Sequence, residues 1–368
     1  MRYLGIDLGS SFLKGAVLNV DSCDLEHVER IPFPDPVPLL PASFREFDPM
    51  QIVASVQRLL ERLLRHAPDA AGILCCSQLH GMVLTDDQGR PRSNYIGWQD
   101  QRALLPQPNY GGRYFDHLQE LLDNDERMSL GNEPRPGVPL AFLYWLRENG
   151  QLPDSTVTPA SLPYFVIANL MQTPAVVDVT HAHGYGLLEV ESLNWHLPVI
   201  DRLQLSTIRW PTIVPQGAVV GHWPMGSRSI PIFAPVGDFH CSQVGALLDE
   251  GELSINVSTG SAVIQVATSY TWGDFQTRPW FDGRYLKAIT HIPAGRALNA
   301  LVRLFSELAT TQGVVLKDPW EYILEQSERV EENALCVDPA FYFSALGEEG
   351  AITHVREENM TVGHLFHA

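Results

Sequence analysis

The stretch Tyr3–Lys14, YLGIDLGSSFLK, sets a carboxylate, a glycine and two hydroxyls between two apolar runs. Glycine lets a backbone come close to an anion, and successive turn amides form a concave nest of donors suited to phosphate. Asp7, at the end of the first run, could hold Mg²⁺ directly or through water beside phosphate oxygens. The same letters also fit an ordinary hairpin, so this segment alone leaves both readings open. Residues Glu252–Val266, ELSINVSTGSAVIQV, repeat the layout about 250 positions later with Thr259, Gly260 and Ser261 as donors and no acid. Two such units predict a duplicated core whose halves face one ligand. A nucleotide phosphate tail suits them, with metal on one side and hydrogen-bond donors on the other.

Asp238 is the main catalytic candidate. It follows the apolar run Ile230–Val236 and precedes a helix expected from about Phe239. Helix-terminal N–H groups there are expected to keep its carboxylate ionised. An ionised, positioned aspartate can take the proton of a hydroxyl that attacks a phosphoryl group. A simple N-cap explains the residue better when it is taken alone, and its place just ahead of the second glycine turn tips the balance to catalysis.

Two further clusters are polar. Gln78 and His80 in SQLHGM follow a buried strand, at the carboxyl end where open α/β sheets bind ligands. Trp98-Gln99-Asp100-Gln101-Arg102 offers an indole face and planar polar groups, the mixture that binds sugars. Against these stand a satisfied core histidine and a solvated loop with one anchoring tryptophan. His181-Ala182-His183 has two-ligand metal spacing on a strand but no third ligand, so it reads as a loop pair. His240 and Cys241 read as packing residues.

The elements that must carry these groups follow from periodicity. Tyr3–Ile6, Leu13–Val20 and His27–Pro32 read as strands. Asp48-Pro49 then caps a helix whose Ile52, Val53, Val56, Leu59, Leu60, Leu63 and Leu64 form one apolar stripe. Strands follow at Gly72–Ser77 and Met82–Asp86, giving a β-β-β-α-β layer. Residues 101–150 read as mostly helical, ending in a buried helix over Val138–Glu148, and 155–230 as a cap-like insertion. After the second hairpin come a strand at Arg284–Ile292 and a helix at Gly295–Leu308, so the second half again reads β-β-β-α.

Composition narrows the class. With 368 residues the chain exceeds one ordinary core and suits two domains, expected at 1–247 and 248–368. A net charge of −18 without a basic run argues against nucleic acid and anionic membranes as partners. Five cysteines without CxxC spacing point to a reducing compartment and no structural zinc. No basic-then-apolar leader and no apolar run of membrane-spanning length is present, so a cytoplasmic protein is expected.

In order and spacing, DLGSSFLK, SQLHGM, GWQDQR, PVGDFHCSQVGAL and NVSTGSAV resemble the FGGY carbohydrate kinases, and within them the sedoheptulokinase and xylulokinase-like members. The resemblance runs the length of the chain. It implies an α/β fold of two ribonuclease-H-like, actin-like ATPase domains with ATP and sugar in a central cleft. It also implies an ATP-dependent kinase that phosphorylates the terminal hydroxyl of a ketose, sedoheptulose-like or a pentulose. Carried over by motif, Asp7 would serve the Mg-ATP phosphates with Gly9, Ser10, Ser11 and Lys14, and Thr259, Gly260 and Ser261 would form the second phosphate turn. Gln78, His80 and Asp100 would bind the ketose with Trp98 nearby, and Asp238 would be the general base. Leu346-Gly347-Glu348-Glu349 departs from the family's Gly-Glu-Arg run. The last residues, Thr361–Ala368, resemble the helix start that precedes the adenosine segment. The second domain is therefore expected to be incomplete, with weak nucleotide binding. A sugar-binding or regulatory protein without turnover is the alternative reading. A nucleotide switch without a small-molecule substrate is a third, disfavoured by the polar sugar-type clusters.

Overall fold

Alternating burial builds the first hairpin. In Arg2–Leu8 (β1), Leu4, Ile6 and Leu8 are buried and Asp7 points to the other face. Phe12–Asn19 (β2) returns antiparallel with Asp7 opposite Lys14, and Asp24–Pro32 (β3) adds an antiparallel edge. The computed structural model describes residues 1–225, 227–258, 260–341, 344 and 347–368. Thr259 and Leu346, both named above, lie outside the described residues.

Helix α1, Pro49–His66, starts at Asp48, whose carboxylate accepts from the N–H groups of Met50 and Gln51 at 2.8 and 3.4 Å. Pro49 at the first position loses no bond, because that N–H has no helical partner. The apolar stripe lies against the sheet, with Ile52, Leu59 and Leu63 fully buried beside Leu4, Leu8 and Leu13. Ile73–Ser77 (β4) then runs parallel to β1, bringing Asp7 level with Cys76 and Leu8 level with Ser77.

Helix α2, Pro139–Glu148, is buried from Pro139 to Leu146, as its sequence predicts. The expected cap at 155–230 is corrected. Helix α3, Leu162–Met171, belongs to the main core through Phe165, Val166 and Ile167. Because Leu162–Ala168 are buried on every side, no polar face marks the helix in the sequence. Val219–Met225 (β5) and Arg228–Phe233 (β6) form a hairpin that completes the sheet in the order β5-β6-β4-β1-β2-β3.

The single strand expected over Ile230–Val236 is broken. Ala234-Pro235 interrupts it, since proline brings no N–H to the ladder. Val236–Gly237 (β7) resumes parallel pairing with β4, Val236 level with Cys76 and Gly237 with Ser77. Helix α4, Asp238–Gly245, follows at once.

Leu253–Val257 (β8) and Gly260–Ala267 (β9) form the second hairpin, with Val257 opposite Ser261. Gln276–Pro279 (β10), unread in the sequence because it is short and ends in proline, comes next. It is followed by Tyr285–Pro293 (β11) and helix α5, Gly295–Thr311. The chain divides into two compact units, Met1–Glu250 with Val266–Leu286, and Gly251–Gln265 with Lys287–Ala368. The second unit leaves apolar side chains uncovered, including Ile255 and Val257 on β8 and Leu304 and Leu308 on α5. All five cysteines are free, and no helix among the described residues is long and apolar enough to cross a membrane.

Candidate active site

Three parallel strands of the first unit end together. β4 lies between β1 and β7, so Asp7 and the start of α4 flank the strand that delivers Ser77, Gln78 and His80. Two strand spacings separate β1 from β7, about 10 Å. Carboxyl ends of parallel strands are where open α/β sheets bind ligands.

Asp238 is held from several sides. Its neighbour Gly237 donates its N–H to the Thr180 hydroxyl at 3.0 Å, and that hydroxyl donates to buried Asp178 at 2.9 Å. The Tyr164 hydroxyl donates to the Pro235 carbonyl at 3.0 Å. Asp238 Oδ1 accepts from the Phe239 N–H at 2.7 Å. The helix N–H groups expected to keep this carboxylate ionised are opposed by burial. Burial, with the charge of Asp7 added, outweighs the Phe239 hydrogen bond and nearby Arg278 and pushes Asp238 up to about 6.

Asp7 pairs with Lys14 Nζ at 3.1 Å across the hairpin, and both side chains keep contact with solvent. Gly9, Ser10 and Ser11 form the short loop between β1 and β2, with Ser11 exposed. One carboxylate beside a phosphate-sized loop fits Mg²⁺, which keeps most of its waters and takes one or two protein carboxylates. In the second unit, Gly260 and Ser261 open β9, and the Ser258 hydroxyl donates to the Gly260 carbonyl at 3.0 Å.

His80 has φ +63° and is nearly buried. Its Nδ1 lies 2.9 Å from the Gly184 carbonyl, which can only accept, so Nδ1 carries the proton and Nε2 keeps its lone pair. Burial lowers its pKa to about 4, against the pull of Glu133, so the ring is neutral at pH 7. Gln78 is buried and its Nε2 has no hydrogen-bond partner among the described residues. Trp98 is exposed, with its backbone carbonyl against Gly137.

Asp100 departs from the expected sugar contact. It is fully buried, and both oxygens are engaged: Oδ1 by Arg102 N–H and Nε at 2.9 and 2.8 Å, Oδ2 by Arg45 N–H and Arg102 Nη2 at 2.6 and 2.8 Å. Arg102 also pairs with Glu46 at 2.6 Å. This network braces the loop that carries Trp98.

The sequence reading missed a buried ionic cluster. Glu133 accepts from Arg278 Nε and Nη2 at 3.1 Å each, and Arg135 Nε lies 3.7 Å away. Glu133 Oε1 is 3.6 Å from His80 Nε2. Burial alone would raise the Glu133 pKa, but Arg135 and Arg278 outweigh it and hold the carboxyl well below the usual range. No local pattern joins these residues in the sequence, since Arg278 lies 145 positions from Glu133.

His181 and His183 stand on a helical turn over Val179–Ala182 and the turn after it, not in the loop expected. His183 is buried, and neither ring nitrogen has a hydrogen-bond partner among the described residues. No group of three His, Cys, Asp or Glu side chains among them could hold a metal. His240 does more than pack: it hydrogen-bonds the Pro279 carbonyl through Nε2 at 3.0 Å. Cys75 is buried and its neighbour Cys76 is half-buried.

Comparison with known proteins places this site in context. A model of the FGGY family of carbohydrate kinases, N-terminal domain, matches residues 2–245. The chain is 22% identical over 324 residues to the xylulose kinase of Staphylococcus xylosus, covering 82% of this chain and 64% of that protein. It is 21% identical over 287 residues to glycerol kinase 2 of Saccharolobus solfataricus, covering 71% and 52%. The chain thus spans between about half and two thirds of the length of these two relatives. The crystal structure of xylulose kinase from Rhodospirillum rubrum superposes with a TM-score of 0.80 at 18% identity, over 100% of this chain and 75% of that one. At that identity the likeness shows a shared α/β fold.

Proposed function

Because the chain belongs to the FGGY family of carbohydrate kinases, we propose that it is the sugar-handling part of an ATP-dependent kinase acting on the terminal hydroxyl of a ketose. One observation carries the reading: Asp7 and Asp238 flank the strand that brings in Gln78 and His80, all at the carboxyl ends of parallel strands. In this reading Asp238 takes the proton of the attacking hydroxyl. Its pKa of about 6 leaves it largely ionised at pH 7 and basic enough to accept. Gln78 Nε2 and His80 Nε2 bind sugar hydroxyls, the first as donor and the second as acceptor. Trp98 lies over C–H groups of the sugar, and Asp100 acts on it through the brace with Arg45 and Arg102.

Asp7, Gly9, Ser10, Ser11 and Lys14 serve the ATP phosphates, and Thr259, Gly260 and Ser261 form the second phosphate turn. Mg²⁺, when bound at Asp7, neutralises charge on the phosphate oxygens. The relatives named xylulose kinase favour a pentulose as the first sugar to try, with a sedoheptulose-like ketose second.

The test is ketose-dependent ADP formation with xylulose, ribulose and sedoheptulose, in the wild type and in Asp238→Ala. Turnover with at least one ketose, lowered about 10²–10⁴-fold by the substitution, is expected. Undiminished turnover in the variant would sink the base assignment. Sugar binding without ADP release in the wild type would instead mark the non-catalytic alternative.

A further inference from the structure

The segment Thr277–Trp280 connects two parts of the first unit that are remote in sequence. On one side it meets the loop around Gly131 and Glu133. The Thr277 N–H donates to the Gly131 carbonyl at 2.9 Å, and Gly131, at φ +67°, leaves no room for a Cβ, which would fall 2.1 Å from the Thr277 carbonyl. Arg278 gives its fork to Glu133 through two bonds of 3.1 Å. On the other side it meets the first turn of α4. The Arg278 guanidinium lies 4.8 Å from the centre of the Phe239 ring. His240 donates Nε2–H to the Pro279 carbonyl at 3.0 Å, and its ring stacks on Trp280 at 5.6 Å. Phe239 and His240 are the two residues that follow Asp238.

We infer that Arg278 is a positioning residue for Asp238: its guanidinium, locked by the Glu133 carboxylate, fixes the first turn of α4 and sets the electric field at the carboxylate of the base. The inference rests on the proposed role of Asp238. A planar fork held at two points restrains the cation better than a lysine ammonium does. Among the described residues, Asp7 on β1, Tyr95 on its short strand, Cys241 on α4 and Arg278 on β10 interact electrostatically with Asp238. Arg278 is the cation of this set, and it opposes the upward push of burial and Asp7 on the Asp238 carboxyl.

The experiment compares the full chain with Arg278→Lys and with the double variant Glu133→Gln/Arg278→Met, which removes both members of the pair; because Arg135 also loses its carboxylate there, Glu133→Gln alone serves as the control. Two readouts need no turnover. The Asp238 carboxyl is titrated by carbon NMR, assigned by its loss in Asp238→Asn, and exchange of the His240 Nε2 proton with water is timed. The double variant is expected to raise the Asp238 midpoint by about half a pH unit or more. Arg278→Lys is expected to keep that midpoint, because the charge stays, but to speed His240 proton exchange about tenfold, because the fork is gone. In the kinase assay, the acid limb of kcat should move up with the midpoint in the double variant. The KM of the ketose should change less than kcat. Unchanged proton exchange in Arg278→Lys overturns the inference, as does an unchanged midpoint in a double variant that melts like the wild type. Absence of turnover in the wild type would overturn the kinase reading and leave both NMR readouts to decide the role of Arg278.

Discussion

Two influences act on Asp238 in opposite directions. The start of α4 favours an anion, while burial and the nearby charge of Asp7 disfavour it, and the second influence wins with a pKa near 6. An aspartate in the unfolded chain titrates near ~3.9. Between these values the folded protein holds a proton that the unfolded chain has lost. Stability contributed by this group is therefore complete below the unfolded value and falls as pH rises through about 4 to 6. Buried Asp178 is also raised to about 6, so two groups share the window. Replacing Asp238 by Asn removes one share. Thermal melts should show the variant gaining on the wild type by about 1–2 kcal/mol between pH 4 and pH 7.5, after allowance for partial exposure. A constant difference between the two proteins across that range would contradict the buried-acid account. His80 works in the opposite sense: burial keeps it neutral, so its ring does not change charge across neutral pH.

At the scale of elements, the site depends on strands meeting at one level, and α1 is what holds β1 and β4 in that parallel arrangement. Leu59 is fully buried in its stripe. Leu59→Ala should cost about 2–5 kcal/mol in a urea melt, since a cavity adds to the lost burial. Asp48→Ala removes the cap bonds to Met50 and Gln51 and should cost about 1 kcal/mol. If the cap substitution proved as costly as the core one, stability would lie in the helix start instead of in the packed stripe. The brace of Asp100, Arg102 and Glu46 belongs to this scale too, because it shapes the loop that carries Trp98.

For the molecule as a whole, the two units differ in how well they cover themselves. The first buries a continuous core under α1 and α3. The second shows Ile255 at 66% exposure, Val257 at 76%, Leu308 at 74% and Val315 at 92%. Uncovered apolar side chains bind hydrophobic dyes, and thinly packed segments open easily. Limited proteolysis should therefore cut first between residues 294 and 368 and leave a resistant product that extends past Leu286, with dye binding falling after the cut. First cuts within residues 1–250 would contradict this ranking.

Much of this protein was legible in one dimension. The β-β-β-α-β layer, both glycine turns, and Asp7, Gln78, His80 and Asp238 as groups at strand ends follow from local periodicity and turn chemistry, which act between near neighbours. Helix α3 was hidden because full burial erases the polar face that periodicity needs. Three outcomes required the folded chain. Asp100 is engaged by Arg45 and Arg102, the acidity of Asp238 is set by burial, and Glu133 is joined to Arg278. Each depends on desolvation or on partners distant along the chain. A string of residue types records neither, because both exist only once the backbone has closed around them.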